Sequence, residues 1–165
     1  MPATAGEAYN RVVIRRMLPA TREEVFAAWT DPESMAHWMC PGDVTRAEAH
    51  LDVRVGGSYR ILMKGRSQDY DHTGEYQVVE PPSKLVFTWT SKGTGDETTL
   101  VTVEIFERGK HSELVLTHER FPTPEQAKRH EGGWGQIADK LAAYLGEAGR
   151  GQASVTPTEF PGGRS

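Results

Sequence analysis

One cysteine, Cys40, stands in 165 residues, which excludes an internal disulfide and suits a reducing compartment. No apolar run approaches the ~20 residues that span a bilayer. Residues 1–7 lack a basic stretch followed by an apolar one, so neither a membrane helix nor a secretory signal is expected. The expected location is cytoplasmic. Blocks of like charge are missing too. The net charge is −4, and the nearest basic clusters, Arg11/Arg15/Arg16 and Lys128/Arg129/His130, have acidic neighbours. That pattern reads as a solvated surface and argues against nucleic acid as a partner. There is no glycine-rich phosphate loop, nucleophile elbow or paired-carboxylate motif. His37-x-x-Cys40 offers two ligands where zinc takes three or four, and Asp69, Asp71 and His72 read as a turn in which aspartate caps backbone groups. No metal, no cofactor and no catalytic set is expected.

Apolar residues make up 37% and charged residues 25% of the chain, ordinary values for a globular domain. A chain this long hides roughly 70% of its unfolded surface, enough for one real core. Residues 148–165 are rich in Gly, Pro, Ser and Thr without apolar periodicity, so they and residues 1–8 are expected as flexible tails. That leaves one domain over residues 9–147.

Asn10 to Met17 is β-branched and short, a first strand. Thr21 with Glu24 three residues on makes a capping box, after which Val25, Phe26, Ala28 and Trp29 form one apolar helical face. Asp31 and Pro32 are the preferred N-cap and first residue of a second short helix, which carries Met35, Trp38 and Met39. From Val44 the apolar period becomes two. Tyr59, Ile61 and Met63 share a face, as do Leu85, Phe87 and Trp89, then Val101, Val103 and Ile105, then Leu114, Leu116 and His118. Thr123 and Pro124 then open a helix of about 20 residues, or ~30 Å, with Trp134, Ile137, Leu141, Tyr144 and Leu145 at helical spacing. The order β, two short helices, six strands, long helix predicts an α+β helix-grip domain. An antiparallel meander of about seven strands, with the first beside the last, would curl around the C-terminal helix.

Several pieces of this order resemble a known family. They are Ala27–Glu33 followed by His37-Trp38, then Val55–Tyr59, Gly74-Glu75-Tyr76, Pro81–Trp89, and Gly133-Trp134 with Leu141 and Leu145. Together they resemble the activator-of-heat-shock-protein-ninety-ATPase homologue-like family, within the START-like/SRPBCC superfamily, over about residues 9 to 146. The resemblance implies a cavity between the long helix and the sheet. Its inferred lining is Trp38, Tyr59, Met63, Tyr76, Phe87, Trp89, His118, Trp134, Ile137 and Leu141. Where the family often has Trp-Trp-Gly-Pro, this chain has Trp38-Met39-Cys40-Pro41, which sets a flexible thioether and a thiol near the cavity mouth.

Each candidate also has a plainer reading. Gly132, Gly133 and Gly135 around Trp134 mark either a helix that opens at a cavity entrance or a loop before a helix starting near Trp134, and the loop is ranked ahead. The aromatic row is core first and ligand wall second. Buried Tyr59 and Tyr76 hydroxyls would need water or a ligand group as partner. His118 could form an acid–base pair with His72 or Glu75, although a hydrogen-bonded structural histidine is the commoner case. Cys40 reads as a quiet, semi-buried thiol.

Three functions follow, in order. The first is a carrier that holds a small apolar or aromatic molecule in the cavity without covalent chemistry. The second is a co-chaperone-like module acting on a heat-shock ATPase, as the family resemblance implies. The third is a cavity enzyme of cyclase or hydrolase type using His118 or a tyrosine. An exposed sheet edge or the short helices could also pair two copies.

Overall fold

The computed structural model describes residues 10–155. The first strand, β1 (Val12–Leu18), leads into two short helices, α1 (Arg22–Thr30) and α2 (Pro32–Trp38). The capping box is present: the Thr21 backbone N–H donates to Glu24 Oε1 at 2.9 Å, and the Glu24 N–H donates to Thr21 Oγ1 at 3.2 Å. The Glu33 N–H donates to Asp31 Oδ1 at 3.2 Å, with Pro32 in the first turn of α2. Local sequence alone therefore starts both helices.

Six strands follow: β2 (Val44–Leu51), β3 (Ser58–Gly65), β4 (Asp69–Glu80), β5 (Lys84–Trp89), β6 (Thr99–Arg108) and β7 (His111–Glu119). They form one antiparallel sheet in the order β1-β7-β6-β5-β4-β3-β2. The first strand lies beside the last, Val12 opposite His118 and Leu18 opposite Ser112. Inward rows match the period-two reading, with Tyr59, Ile61 and Met63 on β3 and Leu85, Phe87 and Trp89 on β5 all buried. Asp69, Asp71 and His72 belong to β4 rather than to a turn. Asp71 points outward to pair with Arg60 at 2.9 Å while His72 is buried, the alternation a strand imposes.

The last helix, α3 (Pro124–Val155), has 32 residues. The Gln126 N–H donates to Thr123 Oγ1 at 3.2 Å, the cap expected from sequence. The loop expected before Trp134 is instead helix, because the N-cap at Thr123 and Pro124 sets the start ten residues earlier than the glycines suggest. Helix also continues through residues 148–155, which the sequence reading gave to a tail; residues 1–8 and 156–165 lie outside the described residues. Helix α3 packs along β1 and α2 along β2, which covers both edges of the sheet against further strand pairing. Two sets of inward side chains result, one under α3 and one under the short helices. No described helix is long and apolar enough to cross a membrane.

Candidate functional site

Under α3 the interior is wired by hydrogen bonds. Trp134 Nε1 donates to His118 Nδ1 at 2.9 Å, and an indole nitrogen can only donate. His118 Nδ1 is therefore the acceptor, and its proton sits on Nε2, which faces Thr99 Oγ1 at 2.7 Å. Thr99 passes its own hydrogen to the Trp89 carbonyl at 2.6 Å. Each link from the Trp134 indole to the Trp89 carbonyl has its partner, although the Trp89 indole N–H has no acceptor among the described residues, and His118 and Trp134 are 0% and 2% exposed. Burial, then the imidazoles of His130 and His72, hold the His118 pKa well below its ordinary value, so the ring is neutral.

This arrangement matches the plainer reading of His118. Both ring nitrogens are engaged, Glu75 lies on the exposed face, and His72 Nδ1 faces the Ile61 carbonyl at 3.3 Å. Burial, as the largest cause, lowers the His72 pKa to about 4. Neither group is placed to exchange a proton with His118. Among the described residues, no three His, Cys, Asp or Glu side chains converge as a metal site would require.

Under the short helices the interior differs. Trp29 on α1 meets Trp38 on α2 edge-on, ring centroids 4.7 Å apart, and approaches Phe87 and Trp134 at 6.4 Å each. Tyr59 lies across Gly74, its partner on β4, and its hydroxyl donates to the Thr88 carbonyl on β5. Any side chain at position 74 would collide with that ring, since a Cβ would come within 2.6 Å of the Tyr59 hydroxyl. The Tyr59 hydroxyl therefore finds main chain where the sequence reading expected water or ligand. Burial, then the charge of Asp52, pushes the Tyr76 pKa up to about 12, so it stays a neutral phenol.

Trp29, Met35, Met39, Tyr59, Ile61, Tyr76 and Phe87 line a pocket with about 10 Å³ of free space, room for one water. The indole N–H groups of Trp29, Trp38 and Trp89 are buried and have no acceptor among the described residues. A buried donor left unpaired costs about 1–3 kcal/mol.

All ten residues inferred from the resemblance are buried, but only Tyr59, Tyr76 and Phe87 border the pocket. Trp38, Met63, Trp89, His118, Trp134, Ile137 and Leu141 instead fill the core around it. The pocket that Tyr59, Tyr76 and Phe87 border lies beneath α1 and α2, and beneath α3 the Trp134–His118 pair is buried. Trp29, Met35, Met39 and Ile61 were not among the inferred lining. Met35 stands on the buried face of α2 and Met39 is its C-cap residue, and Met39 is one of the two residues, with Cys40, at which the chain departs from the family pattern. Ile61 sits between Tyr59 and Met63 on one inward row, so its place was readable from the period of two.

The loop after α2 is tied to the long helix. Lys140 donates to the Cys40 carbonyl and the Gly42 N–H donates to Gln136 Oε1. Ser34 Oγ lies 2.9 Å from the Tyr144 hydroxyl. Cys40 itself is 2% exposed, its Sγ faces the Ala36 carbonyl at 3.5 Å, and burial raises its pKa despite Lys140. It is a protonated, quiet thiol.

The family described as Activator of Hsp90 ATPase homolog 1-like protein matches residues 19–146, so the chain belongs to that family. A crystal structure of a Chromobacterium violaceum protein is similar, with 24% identity, TM-score 0.73, and coverage of 82% of this chain and 96% of that one. A Nitrosomonas europaea protein has 19% identity, TM-score 0.73, and coverage of 87% and 98%. CalU16 from Micromonospora echinospora has 24% identity, TM-score 0.65, and coverage of 85% and 79%. At these identities the likeness shows the fold. No curated protein matches the chain.

Proposed function

We propose that this domain binds a small, largely apolar molecule in the pocket beneath α1 and α2, without covalent chemistry. The observation that supports this reading is the wall itself: four aromatic rings and two methionines around a space that the fold does not fill. Ligand pockets are apolar walls with few polar groups, and methionine is the side chain that repacks most cheaply. The pocket as it stands admits one water, so a ligand enters as Met35 and Met39 change rotamer. Binding is then driven by apolar surface removed from water, at roughly 25 cal/mol per Å².

The test is titration with N-phenylnaphthylamine, a neutral probe that brightens in apolar surroundings. The expected result is a saturable signal from the native protein that Ile61→Phe, which fills the pocket, removes while thermal unfolding stays cooperative. No saturable signal, or one unchanged by Ile61→Phe, overturns the reading. The co-chaperone role ranks second because it rests on the family's description. The cavity-enzyme role ranks third, since its candidate base, His118, has both nitrogens engaged.

A further inference from the structure

The tryptophans of one interior are treated in two ways. Trp134 is given an acceptor, His118 Nδ1. Trp29, equally buried at 2% exposure, is given none among the described residues, and it forms part of the pocket wall. Trp38 and Trp89 share the missing acceptor but do not border the pocket. The fold can satisfy a buried indole, and at the pocket it leaves one open.

The charge inventory narrows the guest further. Among the described residues the buried polar or charged side chains are Ser34, His72, Ser91, Thr94, Thr99, Ser112 and His118. None of the seven is a lysine, arginine, aspartate or glutamate. The seven pocket residues carry no charge either, since both tyrosines are neutral phenols. An ionised ligand would be stripped of water with nothing to offset the loss. Aromatic rings and thioethers favour a flat ring system, by stacking and by sulfur–aromatic contact.

We infer that the pocket selects an uncharged aromatic molecule bearing a hydrogen-bond acceptor, such as a ketone, lactone or ether oxygen, and that the Trp29 indole N–H is the donor that recognises it. This rests on the pocket reading above and adds the ligand's chemistry and the residue that reads it. The acceptor takes the place of the single water the pocket admits.

Indanone and indene make the test, because they differ by the carbonyl and hardly in shape. Both are titrated against the native protein and Trp29→Phe, with affinity and the indole N–H proton resonances as readouts. The Trp29 resonance is assigned by its loss in the variant. The expected result is that Trp29→Phe weakens indanone about tenfold and indene less than twofold, and that indanone alone moves the Trp29 resonance downfield. Equal weakening of both compounds, with the resonance unmoved by indanone, overturns the selectivity and leaves the pocket standing. Failure of both compounds to bind the native protein overturns the pocket reading and this inference with it. Should Trp29→Phe not fold, the indole resonance of the native protein under the two compounds decides the matter alone.

Discussion

Beneath the long helix, His118 uses both nitrogens and the chain from Trp134 to the Trp89 carbonyl has no loose end. Beneath the short helices, 4.7 Å from ring to ring, Trp29 and Trp38 have indole hydrogens with no acceptor among the described residues. The two regions share apolar composition and burial. They differ in linkage rather than in the presence of unpaired donors: the Trp89 indole, 5.1 Å from the Trp134 ring, also lacks an acceptor among the described residues, but Trp134, His118 and Thr99 are joined in one chain. A closed polar network fixes one arrangement of its surroundings. A region of rings and thioethers with unused donors has no such constraint, and it borders the pocket. Rigidity and receptivity are thus divided between the two ends of one core.

The largest effect should come from breaking the closed region. His118→Leu strands the Trp134 indole and takes away the hydrogen bond that Thr99 Oγ1 accepts, so a loss of about 3 kcal/mol or more is expected in urea unfolding. Trp38→Phe removes a larger ring but no hydrogen bond, and should cost about 1–2 kcal/mol by lost packing alone. Equal costs for the two would erase the distinction between the regions.

Acid should attack the same side. Burial lowers the pKa of His118 and of His72, the latter to about 4, against about 6.5 in the unfolded chain. Their folded-state values are depressed, so the stability they contribute is full above about 6.5 and is lost as pH falls, because the unfolded chain then binds protons that the native state refuses. Each group steepens the loss by about 1.4 kcal/mol per pH unit in that window. The neighbours that matter are His130, half-buried against His118 and itself lowered by burial, and Asp71 beside His72. Asp71 titrates below its ordinary carboxylate value, so its own loss falls at lower pH. His72→Gln should flatten the dependence between pH 6.5 and about 4 by one group's worth in denaturation curves taken across that range. An unchanged slope would show that His72 is protonated in the fold.

Much of the fold is written in local signals. Caps at Thr21, Asp31 and Thr123 start the three helices, and a period of two marks each inward row. The candidate site was legible only in part, for a geometric reason. Periodicity tells which side chains face inward, and all ten inferred lining residues do. It does not tell how the inward set divides between contact and gap. That depends on where α1 and α2 close over the sheet and on pairings such as Trp134 with His118, sixteen residues apart along the chain. Nor could spacing show that Gly74 lets Tyr59 reach across β4 to Thr88. The latch residues Gln136 and Lys140 lie on the polar face of α3, where sequence offers nothing to set them apart from solvated neighbours.

The smallest effect concerns Gly132 and Gly133, which sit inside α3 for no steric reason. A Cβ on Gly132 would meet nothing within 4 Å, and one on Gly133 would lie 3.8 Å from Pro41 Cβ, an ordinary contact. Glycine in a helix interior costs up to about 1 kcal/mol against alanine, so Gly132→Ala should raise stability by roughly that amount and Gly133→Ala by slightly less or more as Pro41 settles against it. Gly133 lies beside Pro41 in the loop after Met39, one residue from Gly132, which lets the two substitutions also probe the boundary between the regions. If the closed side is independent of the pocket, probe affinity in Gly132→Ala should stay within twofold of the native protein while the melting temperature rises. A stabilised protein that binds markedly more weakly would mean that α3 yields when the pocket opens, and that the division of the core is less sharp than its hydrogen bonds suggest.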